Sequence, residues 1–312
     1  MMRQRRRISG RRQTGEHGLA RRCPQRKPSA AVFALAMAEA VFVCLTCAPQ
    51  TAAARQSAAG AGVAATEGGG AGTGGRTVGS AEEKAVPPFA VRTADGKTSI
   101  TIDTSAAPEL QEWARTKLAP VLALWYPRID GLLASDGFVA PTHVAITFKP
   151  EPGVAETLGT EVSGNSQWFR GQLDGEAVGA MVHELVHVVQ QYGDREPESF
   201  PGWLTEGIAD YIRFFKFEPD YHGADDVWLA RQDPAKVRFD GAYRLSANFL
   251  DWVTRKYDPQ IVEKLNAAAR RGVYSEGIWR EKSGKTVVEL GNEWKEEKAQ
   301  LLKGAGAAMG QR

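Results

Sequence analysis

The chain has 312 residues, enough for one sizeable domain with extensions, and its 43% hydrophobic and 24% charged residues are ordinary for a globular protein. The net charge of +2 is unevenly distributed, because the segment 1–54 carries 10 Lys or Arg against 2 acidic residues. The rest of the chain has 29 basic and 35 acidic residues, a net charge of −6, which excludes nucleic acid as a partner because phosphate binding needs concentrated Lys and Arg. All three cysteines also lie in the segment 1–54, so cysteine-based catalysis and a disulfide framework are excluded for the remainder.

The N-terminal segment has the pattern of an export signal. A basic region precedes a mostly apolar stretch over residues 30–48, and small residues that suit a signal peptidase follow at 51–54. We predict a signal peptide over residues 1–54 and a secreted protein, periplasmic or extracellular, with no stable membrane association after cleavage. The alternative is an uncleaved membrane anchor, which the carboxylate of Glu39 inside the apolar stretch disfavours.

Residues 55–87 are dominated by Ala, Gly, Thr and Ser and predict a flexible linker, because such a segment buries too little apolar surface to offset the entropy of ordering it. The folded domain is predicted over residues 88–304, with a flexible tail over 305–312. Two alternating, β-branched segments, 99–103 and 142–149, predict strands near the start of this domain. A more polar segment at 164–172 predicts a further strand at the edge of the sheet.

The rest of the domain is predicted to be helical. Apolar residues at helical spacing predict a helix over 109–124, and Asp174 and Gly193 are suitable caps for a second helix between them. Further helices are predicted over residues 203–215, 245–257, 261–270 and 287–302. Strands followed by helices favour an α+β domain, with a small mixed sheet and a mainly helical C-terminal half.

The second predicted helix contains the motif His-Glu-x-x-His, formed by His183, Glu184 and His187. Residues four apart project from one face of a helix, so both histidines can bind one metal ion. Glu184 lies beside the first ligand, where it can reach a metal-bound water without being a ligand itself. Two imidazoles with an oxygen ligand and an open fourth position are typical of catalytic zinc. The alternative is a chance spacing of two core histidines.

Two acidic residues follow on the next predicted helix. Glu206 can provide the third ligand, and Asp210, one turn further on the same face, can accept a hydrogen bond from a ligand histidine. Carboxylates among apolar residues are costly to bury unless a cation accompanies them. The metzincin pattern, with a third histidine six positions after His187, is absent because Gly193 occupies that position. The residues therefore predict one Zn²⁺ per chain, held by His183, His187 and Glu206 in a gluzincin-like pattern.

Four segments of the chain form a recognisable series: HELVHVVQ (183–190), PGWLTEGIADYIR (201–213), YRLSANFLD (243–251) and GKTVVEL (284–290). Together they resemble the basic secretory protein family of plants and its bacterial relatives. The resemblance extends over roughly residues 88–302 and implies a zincin-like fold, with an edge strand over the motif helix, and a secreted zinc-dependent metallopeptidase. The acidic domain and the Ala/Gly linker depart from the plant members, so a plant-type defence role is not inferred.

In a peptidase mechanism, Glu184 would act as general base towards a zinc-activated water and then return the proton to the leaving amine. Tyr243, which precedes a predicted helix, is the candidate second donor to the oxyanion; the alternative is a core or capping tyrosine. His222 is the second candidate for this role, and the alternative for it is an exposed loop histidine. Gly164, Asn165 and Trp168 are the candidate substrate-binding residues, on an edge strand that an extended peptide could join through backbone hydrogen bonds. The alternative for these three is an ordinary sheet edge.

Two other functions stay open from the sequence. A zinc-dependent hydrolase of a non-peptide amide, such as a cell-wall cross-link, would use the same metal chemistry. A non-catalytic, zinc-stabilised surface-binding module would keep the helix pair for stability, but a purely structural site has no use for Glu184 and usually fills its fourth position with protein. The predicted partner is a peptide or protein substrate, and we expect a monomer.

Overall fold

The structure is a computed structural model that describes residues 86–193 and 200–309, with side chains described as far as residue 300. The predicted signal peptide, nearly all of the predicted linker and the last three residues lie outside the described residues, so these predictions stay predictions. Among the described residues, none of the helices combines the length and the apolar character that crossing a membrane requires.

A five-stranded mixed sheet forms the N-terminal part of the domain, with the strand order β1-β2-β3-β5-β4. β1 (Phe89–Arg92) pairs antiparallel with β2 (Ser99–Asp103), and β2 pairs parallel with β3 (His143–Lys149). β5 (Glu161–Asn165) lies parallel to β3 on its other side, and β4 (Ala155–Leu158) pairs antiparallel with β5. β4 is therefore the strand at one edge of the sheet.

Alternation along the strands gives the sheet one apolar face and one exposed face. Ile100, Ile102, Val144, Ile146 and Phe148 are buried on the apolar face, whereas the residues between them are exposed or partly exposed. Successive side chains of a strand point to opposite faces, so this pattern follows from the sequence itself. It confirms both strands that the alternation predicted, within one residue of their predicted bounds.

The first helical segment on the apolar face runs from residue 108 to residue 132. It consists of a 3₁₀ turn (Pro108–Leu110), α1 (Gln111–Trp113), a π-helical turn (Ala114–Leu118) and α2 (Ala119–Leu132). The helix predicted over 109–124 is confirmed, but the segment continues past Pro127. Burial of Ile129 in the last turn stabilises this extension, although the proline removes one backbone hydrogen bond.

Helix α4 (Ala177–Gln190) carries the His-Glu-x-x-His motif and contacts β4, α2 and the following helix α5 (Gly202–Ile212). Most of its side chains are buried, including the run from residue 179 to residue 186. A helix that is apolar nearly all round is stable only when other elements surround it. The motif therefore lies inside the protein, between the sheet edge and the C-terminal helices.

The caps predicted for this helix are wrong. Residues 171–176 form turns, so the helix begins after Glu176 rather than at Asp174, and the carboxylate of Glu176 binds Arg213 instead of capping backbone N–H groups. At the other end, Gln191 takes the left-handed conformation (φ 45°) that terminates the helix two residues before Gly193.

The C-terminal half is helical in the described residues, as predicted. The predicted helices correspond to α5, α7 (Tyr243–Lys256), α8 (Ile261–Arg271) and α10 (Val287–Met309), and two shorter helices, α6 (Asp226–Leu229) and α9 (Gly277–Ser283), were not predicted. Helices α5 and α7 approach closely at Gly207, where a Cβ atom would lie 2.7 Å from the Cβ of Ser246. This contact sets α7 against the helix that follows the motif, and the domain is α+β.

The prediction that residues 164–172 form the edge strand is also wrong. β5 ends at Asn165 and lies inside the sheet, and the chain then turns into the short helix α3 (Ser166–Arg170). The side chain of Asn165 causes this turn, because its Oδ1 accepts a hydrogen bond from the backbone N–H of Gln167 (3.1 Å) as a helix N-cap. The edge strand beside the motif helix is β4, which is too short and too polar for its alternation to be recognised.

Candidate metal centre

Helices α4 and α5 bring the three predicted ligands together. Nε2 of His183 lies 3.0 Å from Nε2 of His187 and 3.2 Å from Oε2 of Glu206, and Nε2 of His187 lies 3.4 Å from the same oxygen. For comparison, adjacent ligands of a tetrahedral ion bound at about 2.05 Å are about 3.3 Å apart. His183, His187 and Glu206 therefore form a group that could hold one metal ion.

The other ring nitrogen of each histidine has its own hydrogen-bond partner. Nδ1 of His183 lies 2.7 Å from Oδ1 of Asp210, the residue predicted for this contact from its position one turn after Glu206. Nδ1 of His187 lies 2.7 Å from Oε1 of Gln190, a partner that the sequence reasoning missed. Gln190 is held in turn, because its Nε2 donates to the backbone carbonyl of Thr205 (3.0 Å). These contacts fix both rings in orientation and in tautomer.

The tautomers make the centre of the group attractive to a cation. Since each Nδ1 faces an acceptor, a neutral ring carries its proton there and leaves the Nε2 lone pair for a cation. Both Nε2 atoms point at each other and at Glu206, so a proton occupies this position when no metal is bound. Burial lowers the pKa of His183, but Asp210 outweighs it and raises this pKa to about 10. For His187, burial likewise opposes the charge while Glu206 raises the pKa. Burial opposes the charge on Glu206 as well, yet the two histidines keep its pKa below the ordinary value.

Glu184 is buried on the same helix, beside the ligand group but outside it. Its Oε2 accepts a hydrogen bond of 2.6 Å from the hydroxyl of Thr157, on the edge strand β4. Thr157 was not identified from the sequence, because it is distant from Glu184 along the chain and lies on a strand that was not predicted. The contact joins the sheet edge to the carboxylate predicted to act as the base.

Tyr243 lies at the group, as its predicted role requires. Its ring stacks on the ring of His183, with centroids 6.2 Å apart and planes inclined by 20°. Burial, and then the carboxylate of Glu206, raises the pKa of the phenol, so its hydroxyl keeps its proton and can donate a hydrogen bond. The role in catalysis stays a prediction, whereas the proximity to the ligands is observed.

The backbone that positions Tyr243 is strained. Ala242 has φ 59° and ψ 176°, a region that is essentially restricted to glycine, and Tyr243 itself has φ 46°. Each such conformation costs on the order of 1–3 kcal/mol and persists only where the surroundings enforce it. The next residue, Arg244, provides this restraint, since its guanidinium binds the carboxylate of Glu176 and donates to the carbonyl of Gly223 (3.3 Å).

A buried charge network connects this restraint to the motif helix. Glu176, at the start of α4, accepts hydrogen bonds from Arg213 (2.9 Å) and from Arg244, and Arg213 also binds Glu218 (2.6 Å). Burial opposes the charge on Glu176, but the guanidiniums of Arg244 and Arg213 hold its pKa below the ordinary value. The network ties α4, the end of α5 and the start of α7 together. Sequence reasoning missed it, since the pairs are 37 and 68 residues apart.

The three predicted substrate-binding residues have other contacts. Gly164 lies under two aromatic rings, where a Cβ atom would be 3.0 Å from Phe148 and Phe169. Asn165 caps α3, and its Nδ2 donates to the carbonyl of Gly153 (2.8 Å). Trp168 packs edge-on against Phe169, with centroids 5.1 Å apart. Because this segment is not the sheet edge, it does not offer the open backbone on which its predicted role depended.

A comparison with known protein families gives a match for this chain. The model of a family described as "Peptidase of plants and bacteria" (BSP) matches residues 108–294, more than half of the chain. The matched part contains the motif helix, the third ligand and the turn at Tyr243. No curated protein and no solved structure gives a significant match.

Proposed function

The chain therefore belongs to the basic secretory protein family of plant and bacterial peptidases, and on that premise we propose that it is a zinc-dependent peptidase. The observation that carries the proposal is the convergence of Nε2 of His183, Nε2 of His187 and Oε2 of Glu206, all within 4.8 Å of one another. A peptidase family and a ligand group with a base beside it point to the same chemistry, which is hydrolysis of a peptide bond by water.

The donor set supports zinc as the metal. Two imidazole nitrogens and one carboxylate oxygen form the ligand set of several catalytic zinc sites, and three protein ligands leave a fourth position for water or substrate. The outer hydrogen bonds to Asp210 and Gln190 are those that a metal-binding histidine requires to present its Nε2 lone pair. The arrangement of the motif helix, an adjacent edge strand and the third ligand on the next helix also supports a zincin-like fold.

We assign the proton transfers to Glu184. When bound, zinc would supply a Lewis acid that polarises the substrate carbonyl and lowers the pKa of a water molecule to about 7. Glu184 accepts a proton from the attacking water and returns it to the leaving amine. Its position next to His183 in sequence keeps its carboxylate beside the ligand group without making it a ligand.

Tyr243 is assigned to the oxyanion that develops on the carbonyl. A second donor besides the metal stabilises this charge, and removing such a donor commonly costs about 10²–10³-fold in rate. The stacking on His183 keeps the phenol at the ligand group, and the raised pKa keeps its proton available. The strained turn at Ala242 supports this assignment, because strain of this kind concentrates at functional sites.

We assign substrate binding to the open edge of β4 instead of to the predicted residues Gly164, Asn165 and Trp168. An extended peptide can join a sheet edge through backbone hydrogen bonds, and β4 lies against the motif helix. The sequence supports a signal peptide over residues 1–54, a linker over residues 55–87 and a monomeric secreted domain. We therefore propose that the enzyme acts in the periplasm or outside the cell.

The test is digestion of a diverse peptide mixture by the purified, zinc-loaded protein, read by mass spectrometry, with Glu184→Ala in parallel. We expect cleavage by the wild type that disappears in Glu184→Ala and after treatment with a zinc chelator, and that returns when zinc is added back. The bound metal is identified by elemental analysis of the protein as purified, with one zinc ion per chain expected.

A folded, zinc-loaded wild type that cleaves none of the peptides would contradict the peptidase assignment. Cleavage that persists in Glu184→Ala would contradict the role of the base but not the family. Loss of zinc from Glu184→Ala would also count against the assignment, because the base is not a ligand and its removal should leave the metal bound.

A further inference from the structure

Thr157 is the residue through which the sheet edge contacts the base. Its hydroxyl donates to Oε2 of Glu184 at 2.6 Å and lies 3.3 Å from the backbone carbonyl of the same residue. We propose that Thr157 is a positioning residue: it holds Glu184 in the conformation for proton transfer and links that conformation to the strand on which a peptide docks. The inference rests on the proposed peptidase function and adds a residue that the mechanism above does not contain.

The hydrogen bond restrains a side chain that would otherwise sample several rotamers. A glutamate has three rotatable bonds, and ordering them costs free energy unless a partner selects one conformation. A hydroxyl that donates to a carboxylate gives a short, charge-assisted hydrogen bond, which is stronger than a neutral one. Because Thr157 engages Oε2, the other oxygen, Oε1, is left to accept the proton of the attacking water.

The same residue presents its backbone to the open edge of the sheet. The N–H of Asn165 donates to the carbonyl of Val154 (2.9 Å), so these two residues form a hydrogen-bonded pair of the β4–β5 hairpin. In an antiparallel ladder such pairs alternate with non-hydrogen-bonded ones, and the register pairs Thr157 with Val162, three positions further along. The N–H and C=O of Thr157 therefore point away from β5, towards the side on which a peptide would add a strand.

The side chain of Thr157 thus faces the base, Glu184, and its backbone faces the edge at which a peptide substrate would bind. The side chain lies on the buried face of the sheet, since Thr157 pairs with the buried Val162 across the ladder. A second contact keeps β4 in place relative to the motif helix, because Nε2 of Gln191 donates to the carbonyl of Gly159 in the hairpin turn (3.1 Å). The edge strand, the base and the motif helix are therefore held together by contacts at two places.

The test compares Thr157→Val, which keeps the shape and removes the hydroxyl, with Thr157→Ser, which keeps the hydroxyl. Thr101→Val is the matched control, because Thr101 is a β-branched residue on the exposed face of the same sheet. For the zinc-loaded enzyme acting on a peptide that the wild type cleaves, we expect Thr157→Val to lower kcat about tenfold with KM within a factor of two. Thr157→Ser and Thr101→Val should stay near the wild type.

A second readout does not depend on activity. In the metal-free protein, the loss of thermal midpoint caused by Thr157→Val should be clearly smaller in the Glu184→Ala background than in the wild type, because the partner is already absent. This double-mutant cycle tests the contact even if no peptide is cleaved. Failure of the proposed function, an inactive wild type, is thereby separated from failure of this inference.

Several results would overturn the role of Thr157. An unchanged kcat in Thr157→Val, or equal losses in the valine and serine variants, would show that the hydroxyl does not position the base. A raised KM with kcat unchanged would assign Thr157 to substrate binding alone. Additive midpoint losses in the cycle would mean that the hydroxyl and the carboxylate are not coupled.

Discussion

Removal of the charge on Asp210 tests the metal centre without touching a ligand. The carboxylate lies 2.7 Å from Nδ1 of His183, and its side chain is 5% exposed, so solvent screens the interaction little. Asp210→Asn keeps an acceptor oxygen of nearly the same shape and removes the charge. Asp210→Ala removes both. The two variants separate the electrostatic part of the contact from its orienting part.

The expected losses follow from the type of contact. Loss of the outer partner of a metal-binding histidine typically costs about 10–100-fold in metal affinity. A charge-assisted hydrogen bond is roughly twice as strong as a neutral one, so the asparagine should retain about half of the effect. We therefore expect Asp210→Asn to weaken zinc binding about tenfold, equivalent to about 1.4 kcal/mol, and Asp210→Ala to weaken it about 100-fold, equivalent to about 2.7 kcal/mol.

The assay is competition for zinc with a chromophoric chelator, together with the thermal midpoint of each metal-free variant. Asp225→Asn is the matched control, because Asp225 makes the same contact with Nδ1 of the exposed His222 (2.6 Å), and asparagine can keep its cap on α6. If Asp210→Asn and Asp210→Ala fold and bind zinc as tightly as the wild type and the control, the outer contact does not support the metal and the reasoning is refuted.

Three further predictions concern the residues around this centre. Tyr243→Phe should lower kcat on the order of 100-fold and leave zinc affinity unchanged, as measured by steady-state kinetics and chelator competition. Gln190→Leu should weaken zinc binding about tenfold in the same competition assay, since the second ligand histidine loses its outer acceptor. Glu176→Gln should lower the free energy of unfolding by about 3 kcal/mol at neutral pH, because Arg244 loses the carboxylate of Glu176 and Arg213 keeps only that of Glu218. The folded pKa of Glu176 lies below the ordinary 4.5, so its contribution to the free energy of unfolding is present above pH 4.5 and is lost as the pH falls through the folded value. In urea denaturation, the difference in the free energy of unfolding between the variant and the wild type should therefore shrink below pH 4.5.

The parts of the fold that were predicted correctly are those in which local periodicity and burial agree. β2 alternates over its whole length and α7 has apolar residues at helical spacing, and each is found within two residues of its predicted bounds. β4 could not be recognised, since a strand of four residues with one buried side chain carries too little pattern. The segment from Gly164 was assigned to an edge strand because its polarity was attributed to solvent exposure, whereas Asn165 is polar because it caps a helix.

The ligands were predictable because their geometry is local to two helices. A spacing of four places His183 and His187 on one helix face, and a spacing of four likewise relates Glu206 to Asp210. The same logic applies to Gln190, three positions after His187, but no role was assigned to that residue from the sequence. Contacts across elements left no such signal, since they depend on how the sheet edge packs on α4.

Each group in the proposed mechanism is oriented by an element other than its own or by a separate side chain. The histidines of α4 are held by Asp210 of α5 and by Gln190, which is itself held by α5. The base is held by Thr157 of the sheet edge, and the strained turn before Tyr243 is restrained by the bond from Arg244 to the start of α4. Since every one of these contacts involves α4 or its ends, displacement of that helix would disturb the ligands, the base and the oxyanion donor together. This explains why a helix that carries only two ligands and a base is buried nearly all round, and why charged residues at its N-terminal end are buried in a network.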